Sequence, residues 1–228
     1  MAVISFTSSK GGSGKTTAVI LLATTLAQQL KVTIIDADKQ ESIVYWASQG
    51  NHSPNISVIA CADERKIQRV IKEAEAKSDV VIVDTQGAAT RLNTFVIGKS
   101  TLVIVPTSNE QQEARSAIFT LSRIEEDSEM LGREIPSRVL ITNTKPGNNF
   151  NKPFQKSINS QLRGNTKCFE VELKQRDQYP MLQSTGGSLY DLPEKERGLD
   201  KAKVNAEAFA AEVTEVIAEV LQAGRVDA

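Results

Sequence analysis

The chain has 228 residues, 40% of them hydrophobic, enough for one sizeable α/β domain spanning 1–228. Its formal net charge of −1 excludes a global basic field, so any nucleic-acid contact must come from a local patch. Cys61 and Cys168 lie far apart and outside any C-x-x-C, which argues against zinc or iron–sulfur chemistry and for two buried small hydrophobes.

The opening MAVISF lacks the charged n-region and long apolar core of a signal peptide. Residue 2 is Ala, so the myristoylation pattern is missing, and no run approaches a membrane span. A cytoplasmic protein is expected.

In chain order, AVISFT reads as a buried strand and KTTAVILLATTLAQQL as a long Ala- and Leu-rich helix without glycine. Between them lies SSKGGSGKTT. Gly14-Lys15-Thr16 matches the end of G-x-x-x-x-G-K-[ST], and the strand–loop–helix context is the one this motif requires. Glycines let successive backbone N–H groups turn toward one point, forming an anion nest, and the helix start adds its positive end. Gly11, Gly12, Ser13, Gly14, Lys15, Thr16 and Thr17 are therefore candidate phosphate contacts. Lys15 would reach the β- and γ-phosphates, and the Thr16 hydroxyl would hold Mg²⁺.

KVTIIDAD (Lys31–Asp38) is a β-branched strand ending in two carboxylates, and ISVIA (Ile56–Ala60) is a further strand. A charged helix follows from about Asp63 to Lys77, then the strand DVVIVDT (Asp79–Thr85) and a short helix over Thr90–Lys99. TLVIVPT (Thr101–Thr107), a long amphipathic helix over Glu110–Met130 and SRVLITNT (Ser137–Thr144) complete the regular part. Continuous Val/Ile runs mark strands covered on both faces, and repeated βα units imply a doubly wound, mostly parallel sheet flanked by helices. Ligands bind such sheets at the carboxyl ends of the strands, where Ser9–Thr17 lies.

The remainder is less regular: a loop over Lys145–Pro153, helical character over 154–163, a short strand in KCFEVEL and a loop-rich stretch over 183–198. Ala202–Gln222 is a terminal helix with Val204, Ala208, Ala211, Val213, Val216, Val220 and Leu221 as its apolar stripe. His52, in QGNHSPN, reads as a solvated loop residue.

Asp84 ends its strand where phosphate-loop enzymes place the Walker B carboxylate on Mg²⁺; an ordinary turn cap is the alternative. Gly87 follows and could donate its N–H to the γ-phosphate. Asp38, near that phosphate, could orient or deprotonate water. Asp36 is a second candidate near the metal, or a strand-end turn residue.

K-G-G-x-G-K-T-T, from Lys10 to Thr17, resembles the deviant Walker A motif of the ParA/MinD family, a group of phosphate-loop NTPases. The resemblance implies an ATP hydrolase that dimerises with ATP, with Lys10 reaching the nucleotide of the other subunit. Ser9, where MinD-like members have Gly, favours a ParA-like chain. D-A-D-K-Q (Asp36–Gln40) resembles the family's D-x-D-x-Q segment, which implies Asp38 for the attacking water and Asp36 near the magnesium shell. Asn143, after VLIT, resembles the family asparagine that bonds the adenine. Arg176 and Tyr179 fall where relatives have a second base-proximal loop. Asp84-Thr85-Gln86-Gly87 departs from the family's D-x-P-P. ATP rather than GTP rests on the resemblance and on the missing N-K-x-D.

The resemblance covers residues 1 to about 145 well and the rest in outline. It implies non-specific DNA and a ParB-like centromere-binding protein as partners, at the nucleoid. DADKQESIVYW and VDTQGAATRLN also look like the VirC group of conjugative DNA transfer, which would replace ParB by a relaxosome protein. A MinD-like membrane role needs a basic amphipathic C-terminal helix, and AEAFAAEVTEVIAEVLQAGRVDA is acidic instead. Fold-related ATP-dependent synthetases usually lack the Lys10 position. DNA candidates are Arg163, Lys167, Lys174, Arg176, Lys195, Arg197, Lys201 and Lys203.

Overall fold

The computed structural model describes residues 1–50, 52–88, 90–108, 110–145, 160 and 162–226. Six strands form an all-parallel sheet: β1 (Ala2–Phe6), β2 (Val32–Ala37), β3 (Ile56–Ala60), β4 (Val80–Thr85), β5 (Leu102–Ser108) and β6 (Ser137–Thr142), in the order β3-β2-β4-β1-β5-β6. The helices are α1 (Lys15–Leu26), α2 (Ser42–Ser48), α3 (Ile67–Glu75), α4 (Arg91–Ile97), α5 (Gln111–Leu131), α6 (Gln178–Thr185) and α7 (Leu199–Val226), plus one helical turn at 162–165.

Strand alternation sorts the core into two layers. Ile4, Phe6, Val32, Ile34, Ile82, Leu102 and Ile104 pack with α1, α2, α6 and α7. Val3, Ile35, Val81 and Val83 face the other way onto α3 and α4, while Val103 and Val105 meet α5. Helix α1 lies between the sheet and α6/α7, so Ala18 through Thr24 are all buried, consistent with an apolar run that lacks a polar stripe. Strands with both faces covered need no polar alternation, which is why the Val/Ile runs were readable.

Four expectations need correction. Helix α7 begins at Leu199 and buries Ala202, Ala206, Phe209, Ala210, Val213 and Val216; Phe209 meets Phe169 edge-to-face with ring centroids 5.8 Å apart. Val204, 64% exposed, and Ala208 and Ala211 lie on the solvent side, so the apolar stripe is rotated from the expected one. KCFEVEL forms only isolated parallel bridges, Val139 with Cys168 and Thr144 with Lys174. Cys61 is buried, but Cys168 is only half-buried. His52 is also half-buried, its ring 5.9 Å from Trp46. The expected loop over Lys145–Pro153 and the helix over 154–163 lie mostly outside the described residues.

Candidate nucleotide site

The sheet register brings the acidic strand ends together. Phe6 pairs with Asp84, and Asp84 pairs with Asp36, so the ends of β1, β4 and β2 stand level at the carboxyl edge. Alternation then points Asp84 and Asp36 to the α1/α2 face, in phase with Ile82 and Ile34. The loop after Phe6 delivers the start of α1 to the same place.

Gly14, at φ +80, is the N-cap of α1, and a Cβ there would also press within 3.2 Å of Thr142 Oγ1. Gly12, at φ +88, likewise holds a left-handed conformation. Lys15 Nζ stands 3.2 Å from Asp84 Oδ1, and Thr16 Oγ1 donates to Asp84 Oδ2 at 2.9 Å. Burial pushes the Asp84 carboxyl up from its ordinary range; Lys15 and Thr16 oppose that rise, while nearby Asp36 adds to it. Thr17 Oγ1 accepts from Gln183 Nε2 at 2.5 Å, tying the loop to α6. Thr142 Oγ1 lies 2.9 Å from the Ser13 carbonyl and 3.2 Å from that of Thr107, donating toward both. Ser9 Oγ bonds Ser116 on α5, which gives the residue in place of the motif's first glycine an anchoring contact.

The β4–α4 loop closes on this turn. A Cβ at Gly87 would lie 2.8 Å from the Lys10 carbonyl oxygen and 3.1 Å from the Gly11 nitrogen, so only glycine permits this approach of backbone to backbone. Asn93 on α4 donates to the carbonyls of Ala88 at 2.7 Å and Gln86 at 3.1 Å, and lies 3.4 Å from Thr7 Oγ1.

The other predicted residues are distributed around this centre. Lys10 is exposed, and among the described residues its ammonium makes no ion pair; its carbonyl accepts from Ser8 Oγ at 2.7 Å. Asp36 is buried and caps α2: Oδ2 accepts from the amides of Ile43 at 2.8 Å and Val44 at 3.1 Å, and Oδ1 from that of Asp38 at 3.2 Å. Its carboxyl is raised by burial, against those three amides. Asp38 is half-buried and touches neither Lys15 nor Asp84; its Oδ1 accepts from the Gln40 amide at 3.0 Å. Asn143 is exposed just past β6 at φ +55, a left-handed position that asparagine tolerates. Arg176 is half-buried, with its Nε unpartnered. Tyr179 is buried, and its hydroxyl donates toward Ala202 O at 3.1 Å and Asn205 Oδ1 at 3.2 Å on α7.

Sequence reading missed Asn93, Thr142, Gln183 and Ser116. A local signal existed only for Asn93, which follows its capping Thr90 by three positions.

The residues fit a nucleotide with a hard cation. Ser13 Oγ is buried at the loop without a hydrogen-bond partner, and Asp84 Oδ1 is buried with the Lys15 ammonium as its one partner. A phosphate oxygen is a partner that suits the first, and a cation-bound water one that suits the second. The space beside Gly11 and Gly12 is open. Among the described residues no group of three or more His, Cys, Asp or Glu could cage a metal. Thr16 and Asp84 therefore suit an ion that takes its remaining oxygen ligands from phosphate and water, as Mg²⁺ does.

The family model for VirC1 protein matches residues 1–221. The chain belongs to the VirC1 protein family. This VirC1-family chain is 31% identical to Protein ParA of Rhizobium radiobacter over 223 residues, covering 97% of the chain and 100% of that relative, so it is also of ParA type. Its fold is similar to that of the cell division ATPase MinD of Pyrococcus furiosus (TM-score 0.70, 14% identity, 94% of this chain and 99% of that one). It is similar too to a Borrelia burgdorferi plasmid partition protein bound to AMPPNP (TM-score 0.67, 19% identity, 92% and 99%). No helix among the described residues is long and apolar enough to cross a membrane.

Proposed function

We propose that this chain is an ATP hydrolase that dimerises with ATP, binds DNA without sequence preference as a dimer, and thereby positions a plasmid or chromosome cargo. The observation that carries the reading is the Lys15–Thr16–Asp84 constellation beneath a loop in which the buried Ser13 hydroxyl has no partner. In this reading the loop amides, Ser13 and Lys15 bind the phosphates. Thr16 and Asp84 hold Mg²⁺, which when bound neutralises charge on the β- and γ-oxygens. Asp38 orients water toward the γ-phosphorus, whose bond to the bridging oxygen breaks. Asp36 shapes the edge of the site by fixing the start of α2. Asn143 contacts the adenine. Lys10, which is exposed, would meet the phosphates of a second subunit, where a desolvated cation–phosphate contact is strong.

For DNA the candidate patch is narrower than its composition suggests. Arg163 pairs with Glu170 at 3.3 Å and Glu172 at 3.6 Å, Lys167 with Glu134 at 3.7 Å, and Lys174 with Glu172 at 2.7 Å. Arg176, Lys195, Arg197, Lys201 and Lys203 have no such pairing among the described residues, although Lys203 lies over the Tyr190 ring at 5.5 Å. The partner is a ParB-like centromere-binding protein, and the site of action is the cytoplasmic nucleoid.

The test is retention of random-sequence duplex by the protein with ATP, with ADP and without nucleotide, across a salt series. Retention that requires ATP and falls steeply with salt supports the reading. Nucleotide-independent retention separates DNA from dimerisation. No retention at low salt moves the function to a protein cargo. The match to the VirC1 model favours a second reading, assistance to conjugative DNA transfer with a relaxosome partner. Relaxase genes beside this one would support it, and a small DNA-binding gene downstream would support partition.

A further inference from the structure

The β4–α4 loop is half-exposed and carries no bulky apolar side chain: its described residues are Gln86, Gly87, Ala88 and Thr90. Behind it lies a cavity of about 30 Å³ lined by residues that include Thr7, Ser8, Thr94, Thr120 and Asp127, so the loop packs closely against the phosphate loop on its Gly87 side but not from behind. On that open side one side chain holds it, beside the loop's own Ala88 N–H bond to the Gln86 carbonyl at 2.8 Å. Asn93 is 4% exposed, and its two amide hydrogens serve the carbonyls of Ala88 and Gln86, on either side of Gly87. Thr90 Oγ1 donates to Asn93 Oδ1 at 2.9 Å, which fixes the carboxamide so that nitrogen, not oxygen, faces the loop. The same nitrogen lies 3.4 Å from Thr7 Oγ1, at the root of the phosphate loop.

We propose that Asn93 is a positioning residue that latches Gln86–Gly87–Ala88 onto the phosphate loop, so that the Gly87 amide is presented to the terminal phosphate of ATP. The proposal rests on the ATP reading above and adds the group that sets the loop. It has a specific signature. ADP lacks the phosphate that the Gly87 amide meets, so the latch contributes to ATP binding and turnover and not to ADP binding.

Asn93→Asp is nearly isosteric but sets a carboxylate oxygen against two carbonyl oxygens, which repels the loop. Fluorescent ATP and ADP analogues with Mg²⁺ would be titrated into the parent and the variant, with phosphate release measured beside them. The ratio of ATP to ADP affinity is expected to fall about tenfold and turnover by at least as much, with ADP affinity held within about twofold. Thr90→Val, which removes the hydroxyl that orients the carboxamide and caps α4, is expected to shift the ratio the same way, and Thr90→Ser, which keeps that hydroxyl, to restore it; this pair decides the matter if Asn93→Asp fails to fold by thermal melt. An unchanged ratio, or equal losses of ATP and ADP affinity, would overturn the latch while leaving the parent's ATPase reading intact. A parent that binds neither nucleotide would overturn both.

Discussion

Two glycines in contact with the same loop should respond oppositely to an added methyl group. At Gly87 a Cβ would stand 2.8 Å from Lys10 O, 2.9 Å from its carbonyl carbon and 3.1 Å from Gly11 N. All three are backbone atoms, so no side chain can rotate away, and the two loops must part by several tenths of an ångström. Overpacking of this kind costs about 1–3 kcal/mol. For a chain of this size that corresponds to a fall in Tm of roughly 2–12 °C. At Gly11 a Cβ meets nothing within 4 Å, and φ is not in the left-handed region. Gly11→Ala should therefore melt with the parent in the absence of nucleotide. If phosphates fill that open space, however, the methyl group competes with them, and ATP affinity should fall about tenfold or more. Thermal melts with and without Mg²⁺ and ATP, beside nucleotide titrations, separate the two effects. A Gly87→Ala protein as stable as the parent, or a Gly11→Ala protein that loses stability without nucleotide, would refute the reasoning.

Lys10→Ala should bind ATP with near-parental affinity yet stay monomeric by light scattering; ATP-dependent dimers of that variant would remove Lys10 from the interface. Asp38→Ala should keep ATP binding and lose turnover, since orienting water does not contribute to ground-state phosphate contacts; equal phosphate release would exclude Asp38 from the mechanism. Asp127, buried on α5 and bonded by Thr94 Oγ1 at 3.3 Å, has its carboxyl raised by burial. Its folded pKa lies above its unfolded one, so its stabilising contribution is fully present at low pH and is lost as pH rises through the raised value. Asp127→Asn should accordingly gain Tm relative to the parent at pH 7, with the gain shrinking as pH is lowered toward 4; a gain that does not depend on pH would contradict this.

The strands and the phosphate loop were legible because their signals are local. Valine and isoleucine runs mark covered strands, and GKTT after a strand marks the loop. The apolar stripe of α7 was misplaced because Ala202, Ala206 and Ala210 inside and Ala208 and Ala211 outside are the same residue type; only Phe209 discriminates the faces strongly. The supports of the site were illegible for a different reason. Asn93 reaches Thr7 across 86 positions, Ser116 reaches Ser9 across 107, Thr142 reaches Ser13 across 129 and Gln183 reaches Thr17 across 166. Such pairings exist only once the sheet order is set. The commitment of the Tyr179 hydroxyl to α7 is likewise a pairing between elements that no local pattern announces.

At the centre of this account, the phosphate loop Gly11–Thr17 binds Mg²⁺-ATP with Lys15. The most direct test is titration of a fluorescent ATP analogue with Mg²⁺ into the parent and Lys15→Ala proteins, both verified as folded by melting. The account predicts saturable binding by the parent and a loss of about a hundredfold or more in the variant, because a charge-assisted phosphate contact is removed where the backbone nest alone remains. Equal affinity of the two proteins, or a parent that does not bind, would contradict it.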